Sequence, residues 1–202
     1  MRCITATQLF AAILFCTTLN APNASGLQFT NPAGRVPRYP MDQESLAPYV
    51  PTPQNVVDRM LELAEVTSKD VVYDLGCGDG RIVITAAKKY GAHGVGVDID
   101  PERIREAEAN AKMAGVESLV SFKQQDALKV DLSGASVVTL YLLSSSNLKL
   151  RPILTRQLKP GSRIVSHAFS MGDWLPLKTE TIEGESYPRT IYLWNADGVV
   201  RN

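Results

Sequence analysis

Apolar residues recur along the chain with two different spacings, and the spacing predicts which segments form helices and which form strands. One segment has apolar residues at positions i, i+3, i+4 and i+7, the spacing of a helix with one buried face. These residues are Val57, Met60, Leu61 and Ala64. Thr52-Pro53 directly precedes the segment, so we expect Thr52 to cap this helix and Pro53 to occupy its first turn.

Farther along, short apolar runs alternate with helical segments. The runs predict five strands, at 71–75, 94–98, 119–123, 136–142 and 162–168. Three helices are predicted between them, at 81–90, between a cap at Asp100 and an end at Gly115, and at 152–158. Two further strands, 177–183 and 190–194, flank a polar turn. This alternation predicts an α/β fold with an open, mostly parallel sheet, helices on both faces and a C-terminal antiparallel hairpin at one edge.

The first 25 residues have the organisation of a secretory signal peptide. The basic start Met1-Arg2 precedes an apolar run from Leu9 to Phe15, and Ala24-Ser25-Gly26 offers a cleavage site. The apolar run is shorter than the roughly 20 residues that cross a bilayer, so no stable membrane span is expected. We predict an exported protein, periplasmic or secreted. The alternative is a chain anchored to a membrane by an uncleaved leader.

The rest of the chain divides into two parts. Residues 26–48 are rich in Pro, Asn and Gly without a periodic apolar pattern, and we predict an extended arm there. Residues 49–202 contain all the predicted strands and helices and form one domain. Cys77 is the one cysteine of three that lies outside the leader, so no pair remains for an internal disulfide.

The charge balance narrows the class of partner. The chain has 21 Lys plus Arg and 21 Asp plus Glu, which gives a formal net charge of zero. Domains that bind nucleic acid usually carry a basic excess. We therefore expect no nucleic-acid partner.

An acid and three glycines lie where the first predicted strand meets its helix. The segment Asp74-Leu-Gly-Cys-Gly-Asp-Gly80 places the acid at the strand end and the glycines at alternate positions after it. Such glycines let the backbone approach a ligand closely, because no Cβ intervenes. Dinucleotide sites have a third glycine where this chain has Arg81. The pattern thus favours S-adenosylmethionine (SAM), which carries an ammonium and a carboxylate group, over a pyrophosphate ligand.

Two further acids follow the next two predicted strands. Asp98, followed by Ile99, lies twenty residues after Gly78, and an acid at that distance accepts hydrogen bonds from both ribose hydroxyls. Asp126 would accept the adenine amino group, and the Ala127 N–H would donate to a ring nitrogen. Alone, Asp98 is equally an edge carboxylate and Asp126 a turn cap. At successive strand ends, the acids predict an adenosine site.

Four segments together resemble the motif series of class I SAM-dependent methyltransferases. They are Asp74-Leu-Gly-Cys-Gly-Asp-Gly80, Gly96-Val-Asp98-Ile99-Asp-Pro101, Gln125-Asp126-Ala127 and Leu158-Lys-Pro-Gly161. The resemblance covers residues 49 to about 170 and implies a Rossmann-like fold with SAM as cofactor. The cofactor-binding residues that it implies are Asp74, Gly76, Cys77, Gly78, Gly80, Asp98, Ile99, Asp126 and Ala127.

A narrower resemblance is to the family of small lysine methyltransferases, whose eukaryotic members modify a mitochondrial ATP-synthase subunit. The segment Tyr49-Val-Pro-Thr-Pro53 ahead of the glycine turn carries it. The resemblance implies methyl transfer to an amine, most simply a protein lysine, and places Tyr49 and Thr52 over the cofactor as a lid. From the residues alone, Thr52 is equally a helix cap and Tyr49 a packing residue. Ala168 and Ser170 stand where bacterial relatives carry acids, so no catalytic residue is carried over from that segment.

The acceptor is expected to enter at the end of the fourth predicted strand. Carbonyl and hydroxyl oxygens near Leu143 and Ser144 are candidates to hold the amine nitrogen. We interpret Asn147 as a helix cap, and His167 as a core or edge histidine instead of a base. No catalytic acid or base is assigned, and no metal site is predicted.

Three other functions stay open on the sequence alone. The first is a module that binds SAM or S-adenosylhomocysteine without turnover, because SAM is made in the cytosol and this chain is predicted to be exported. The second is a methyltransferase with a small-molecule acceptor. The third is an NAD(P) oxidoreductase, against which Arg81 argues at the third glycine position.

Overall fold

A computed structural model describes residues 45–184 and 187–202, so the predicted signal peptide and most of the predicted arm lie outside the described residues. The strands of this part are β1 (Val71–Leu75), β2 (His93–Asp98), β3 (Val120–Gln124), β4 (Val137–Leu140), β5 (Arg163–His167), β6 (Lys178–Ile182) and β7 (Arg189–Asn195). The helices are α1 (Gln54–Leu63), α2 (Arg81–Tyr90), α3 (Pro101–Ala114) and α4 (Ser144–Gln157), with a 3-10 helix at Ala127–Lys129. Within the described residues, no helix is long and apolar enough to cross a membrane.

The strands form one sheet in the order β3-β2-β1-β4-β5-β7-β6. The strands from β3 to β5 pair in parallel, and β7 is antiparallel to both of its neighbours. The predicted α/β fold with a C-terminal antiparallel hairpin is therefore confirmed. The strand order reverses between β1 and β4, and in such sheets ligands bind at the carboxyl ends of the strands beside that point.

Helices cover both faces of the sheet. Val72 of β1 packs in a cluster with buried residues of α1 and α2, whereas Tyr73 and Leu75 pack in a second cluster with Leu150 and Leu154 of α4. Successive side chains of a strand point to opposite faces, so this central strand contributes to both clusters. Burial on both sides explains why the central strands are continuous apolar runs.

Two predicted helix caps had different outcomes. Asp100 caps α3 as expected, because its carboxylate accepts a hydrogen bond from the Glu102 N–H at 2.8 Å. The prediction that Thr52 caps α1 is wrong, since that helix begins at Gln54 and has no side-chain cap. The Thr52 hydroxyl instead lies 3.4 Å from Nδ1 of His167. Pro53 occupies the N-cap position instead, and Thr52 contacts a residue distant in sequence.

The prediction for α4 was too short. The helix begins at Ser144, eight residues before the predicted start, and contains Pro152 in its interior. Proline lacks the N–H of an interior turn and so resembles a helix start in sequence. Burial of Leu150 and Leu154 supports the longer helix. Asn147 lies inside the helix, fully buried, so its interpretation as a cap is also wrong.

Candidate active site

A cavity of about 390 Å³ lies at the carboxyl edge of the sheet, beside the reversal of strand order. Ten of the predicted site residues line it: Tyr49, Thr52, Asp74, Gly76, Cys77, Gly78, Asp98, Ile99, Asp126 and Ala127. Gly80, Leu143 and Ser144 are not among its lining residues. The three predicted acids, which are far apart in sequence, thus lie around one space.

Gly78 is the point of closest approach in the glycine turn. Its φ is +54°, a left-handed conformation that favours glycine. A Cβ at this position would lie 2.5 Å from Cε2 of Tyr49, so the tyrosine ring lies directly over the turn. The Arg103 guanidinium lies 4.6 Å from the centroid of the same ring. Tyr49 thus packs on the glycine turn in the wall of the cavity, and its role as a lid over the cofactor stays a prediction.

Gly80 has a packing role instead. It precedes α2 with a φ of +78°, and a Cβ there would lie 2.9 Å from Cβ of Ala107 and 2.8 Å from Cε1 of Phe122. The absence of a side chain lets the start of α2 approach α3 and β3. Gly76 and Gly78 line the cavity, whereas Gly80 contacts the protein core. The alternate spacing of the three glycines in sequence does not reveal this difference.

Asp98 joins the end of β2 to the glycine turn. Its carboxylate accepts hydrogen bonds from the Gly78 N–H at 2.9 Å and from the Asp100 N–H at 3.0 Å. Burial raises the pKa of Asp98, although these backbone donors oppose the shift. Each carboxylate oxygen has a further lone pair, so the group keeps the capacity to accept ribose hydroxyls.

Asp74 is one of two buried acids of the cavity, together with Asp79. Its Oδ1 accepts a hydrogen bond from the Thr139 hydroxyl at 2.7 Å. Burial, with a smaller contribution from the charges of Asp98 and Asp79, raises the pKa of Asp74 to about 7. The Thr139 hydroxyl is neutral and brings no positive charge to Asp74. A cationic ligand would supply that charge and so favour the ionised form of the Asp74 carboxylate.

Asp126 has the capping role considered for it from sequence, and its role as an acceptor for adenine stays a prediction. Its Oδ1 accepts a hydrogen bond from the Leu128 N–H at 2.9 Å and so caps the 3-10 helix, while the residue also lines the cavity. Its Oδ2 lies 3.3 Å from Nζ of Lys129. The cap fixes the carboxylate at the rim, beside Ala127.

A segment that we name the strap, Ser45–Thr52, forms one wall of the cavity. Its first residues were assigned to the predicted arm, but the Leu46 carbonyl accepts a hydrogen bond from the Ser146 hydroxyl of α4. At the other end, Arg81 Nη1 donates to the Thr52 carbonyl at 2.8 Å. Arg81 Nε also donates to the buried Asp79 carboxylate at 2.9 Å. Arg81 therefore connects the strap to the glycine turn.

Sequence reasoning overlooked this structural role of Asp79 and Arg81. The available signal was the adjacent acid and arginine in Gly78-Asp-Gly80-Arg81, where Arg81 had been used only to exclude a dinucleotide. Cys77 is buried, and burial raises the pKa of its thiol well above the usual range. Its thiol is therefore protonated, and Cys77 acts as a small packing residue.

The predicted acceptor side lies at the end of β4. Leu143 and Ser144 are exposed just beyond the end of β4, while Tyr141 and Leu142 line the cavity. His167 is buried next to Tyr141, and burial lowers the pKa of His167 to about 4. The histidine is therefore neutral at pH 7 and packs in the core, in agreement with its interpretation. Within residues 45–184 and 187–202, no group of His, Cys, Asp or Glu could hold a metal ion.

The cavity residues fit SAM. Its volume lies in the range of small-molecule sites, roughly 300–1,000 Å³, and a buried carboxylate, Asp74, lies beside a glycine turn that allows close approach. Val97, Ile99 and Leu142 provide apolar surface for an adenine ring. Fold and site together define a Rossmann-like, class I SAM-dependent methyltransferase.

Comparison with known proteins identifies the family. A model of the ANTKMT methyltransferase domain matches residues 74–178, and the chain belongs to this family. A protein-lysine N-methyltransferase of Saccharolobus islandicus (strain REY15A) is 50% identical over 148 residues, which are 73% of this chain and 92% of that protein. A human ATP synthase lysine N-methyltransferase is 29% identical over 179 residues, 89% of this chain and 71% of that protein.

A solved structure has the same fold. It is an RNA methyltransferase from Salinibacter ruber in complex with S-adenosyl-L-homocysteine, with 55% sequence identity and a TM-score of 0.71. The alignment covers 75% of this chain and 97% of that chain. The predicted class of methyltransferase and its cofactor are therefore confirmed.

Proposed function

We propose that this methyltransferase transfers a methyl group from SAM to the side-chain amine of a protein lysine. The observation that carries the proposal is the 50% identity with a protein-lysine N-methyltransferase over 92% of that protein. An identity that extends over nearly the whole relative includes both the cofactor side and the acceptor side of the fold. The human ATP synthase lysine N-methyltransferase supports the same class of acceptor.

The chain's own residues bind and orient the reactants. SAM, when bound, supplies an activated methyl group on a sulfonium. Asp74 and the glycine turn are proposed to hold its methionine end, Asp98 its ribose and Asp126 its adenine, with the strap closing over it. Closure excludes water and fixes the approach of the acceptor, an effect that in favourable cases is worth about 7–11 kcal/mol. A lysine must be neutral when the methyl group is transferred, so its ordinary pKa of about 10.4 must fall in the site or its proton must be lost to water before that step.

RNA is the second candidate acceptor, because the Salinibacter ruber protein is described as an RNA methyltransferase. The equal numbers of basic and acidic residues give no electrostatic support for a nucleic-acid partner. We therefore favour the protein acceptor.

Transfer of label from tritiated SAM tests the proposal. The purified protein is incubated with an extract of the source cells, and the labelled product is divided between protease and ribonuclease digestion. We expect protease-sensitive label that amino-acid analysis assigns to methylated lysine. Label that only ribonuclease releases would establish the RNA acceptor instead. Binding of SAM by calorimetry without any transfer would favour the non-catalytic module.

A matched pair of variants tests the cofactor site. Asp98→Asn weakens the acceptor group proposed for the ribose, whereas Asp131→Asn changes an exposed acid in the loop that follows the 3-10 helix. We expect only the first to reduce SAM affinity, by about tenfold, as for one charge-assisted hydrogen bond. Equal SAM affinities in the two variants would contradict the assignment of Asp98.

The export of the protein stays a prediction. It is supported by the basic start, the apolar run and the small residues within the first 26 positions. A fusion of a phosphatase that is active only outside the cytoplasm, joined after residue 40, tests it. We expect active phosphatase, and an inactive fusion of normal abundance would exclude export.

A further inference from the structure

Three rings lie together where β4 and β5 end, and of these three only that of Tyr141 belongs to a residue that lines the cavity. The ring of Tyr141 lies 3.9 Å from that of His167 and 6.3 Å from that of Phe169, measured between centroids. The Tyr141 and Phe169 rings are nearly parallel, with an interplanar angle of 27°. Both are half-buried, and Tyr141 lines the cavity. Aromatic surface is therefore available beside the proposed cofactor site.

The backbone that carries Phe169 has an unusual conformation. Ala168 has a φ of +65°, and the Phe169 N–H donates to the His167 carbonyl at 2.9 Å, which closes a tight three-residue turn. A left-handed residue other than glycine is strained, and such strain is found mostly at ligand sites, where the surroundings maintain it. Phe169 directly follows Ala168, so the strained turn sets the position of the Phe169 side chain.

A buried polar cluster maintains this turn. Asn147, fully buried in α4, donates through Nδ2 to the carbonyls of Phe169 at 3.0 Å and Ser170 at 3.4 Å. The Ser166 hydroxyl donates to the Phe169 carbonyl at 2.6 Å. Side chains from α4 and β5 thus fix the backbone at Phe169. This gives Asn147 a structural role that its interpretation as a cap had missed.

The two strand ends contain no charged residue. Residues 141–148 and 166–172 lack Asp, Glu, Lys and Arg altogether. The histidine among them, His167, is neutral, because burial and then the charge of Arg189 on β7 lower its pKa to about 4. A cation that enters here meets ring faces instead of a carboxylate from these two segments. Aromatic faces attract ammonium groups and bind methylated ammonium groups especially well once these are desolvated.

We propose that Tyr141 and Phe169 form an acceptor subsite that binds an alkylammonium side chain and its methylated forms, with His167 supporting the Tyr141 ring. The proposal rests on the proposed function, because it specifies how that acceptor is held. It replaces Leu143 and Ser144, which are exposed, as the residues that contact the acceptor side chain.

Binding of two small probes to the protein saturated with S-adenosylhomocysteine tests the subsite directly. One probe is an amide-capped Nε-trimethyl-lysine, and the other is its uncharged isostere with a quaternary carbon in place of nitrogen. We expect the wild type to bind the cation about tenfold more tightly, because ring faces discriminate by charge. Equal affinities for the two probes, or no binding of the cation, would overturn the proposal.

Variants identify which rings cause the preference for the cationic probe. Tyr141→Leu and Phe169→Leu should each abolish the preference for the cation, and Tyr141→Phe should retain it because the ring face remains. S-adenosylhomocysteine affinity should stay within about twofold in Phe169→Leu, because Phe169 is not among the residues that line the cavity. Tyr90→Leu, at the last residue of α2, is the matched control and should behave as wild type. An unchanged preference in both leucine variants of the subsite, each confirmed as folded by its melting curve, would overturn the proposal.

Probe binding separates this inference from the proposed function. If the wild type labels no protein but still prefers the cation, the lysine acceptor is wrong and the subsite stands. If the wild type methylates lysine and the leucine variants keep the wild-type KM for the labelled protein, the subsite is wrong and the function stands.

Discussion

Replacement of Gly78 by alanine tests whether Tyr49 covers the glycine turn. The new Cβ would lie 2.5 Å from Cε2 and 3.1 Å from Cδ2 of the Tyr49 ring, so the ring must move by about 1 Å to reach ordinary contact distance. The backbone also holds a left-handed φ of +54°, which costs about 1–2 kcal/mol for alanine. Loss of the Arg103 contact with the displaced ring adds about 0.5–1 kcal/mol.

Gly115→Ala is the matched control. Gly115 has a φ of +68°, close to that of Gly78, but a Cβ there meets nothing within 4 Å. The control therefore measures the backbone cost alone, about 1–2 kcal/mol. Gly78→Ala should cost about 1 kcal/mol more than the control, measured as the free energy of unfolding by urea denaturation without ligand. It should also weaken SAM binding in calorimetry, because the strap is displaced.

Removal of the Tyr49 ring tests whether its displacement causes the extra destabilisation expected for Gly78→Ala. In a Tyr49→Ala background, Gly78→Ala should cost no more than Gly115→Ala, because no ring remains to be displaced. The double-mutant cycle between Gly78 and Tyr49 should then give a coupling of about 1 kcal/mol. A cycle without coupling, or a Gly78 variant as stable as the Gly115 variant, would refute the inferred position of Tyr49.

Three further predictions concern charge and strain. Asp74→Asn should remove a pH dependence: burial raises the pKa of Asp74 to about 7 from its usual 3.8, so the folded protein retains a proton that the unfolded chain releases. Wild-type stability should therefore fall as pH rises from about 4 to 7, whereas the variant's melting temperature should be flatter over this window. Arg81→Gln should cost about 3 kcal/mol in urea denaturation because buried Asp79 loses its ionic partner, and adding Asp79→Asn should recover part of the loss. Ala168→Gly should raise the free energy of unfolding by about 0.5–1 kcal/mol, because relief of the left-handed strain exceeds the entropy cost of glycine. A variant less stable than the wild type would contradict the inference that the backbone at Ala168 is strained.

The elements around the cofactor side could be predicted because their signals are local. The bounds of β1 and α2 are those predicted from sequence, since an apolar run, an acid and a glycine turn lie within twenty consecutive residues. Asp98 and Asp126 could be assigned to the same cavity because parallel strands end at one edge. The local pattern did not reveal the role of Gly80, because Gly80 packs against Ala107 of α3 and Phe122 of β3, which are distant in sequence.

The acceptor side could not be predicted in the same way. There α4 begins earlier than its sequence indicates, because burial of Leu150 and Leu154 outweighs the helix-breaking tendency of Pro152. Asn147 consequently lies inside a helix, and its side chain bonds to the loop after β5 instead of capping α4. Local propensity was overruled by packing, which sequence spacing does not report.

By itself, the sequence determined the succession of strands and helices, the glycine turn and the acids at three strand ends, because each depends on neighbours along the chain. Only the tertiary structure decided the partners of the strap. Thr52 meets His167 across 115 positions, and its carbonyl meets Arg81 across 29. Such contacts form when the sheet orders β1, β4 and β5 side by side, and no local pattern encodes which side chains then become neighbours.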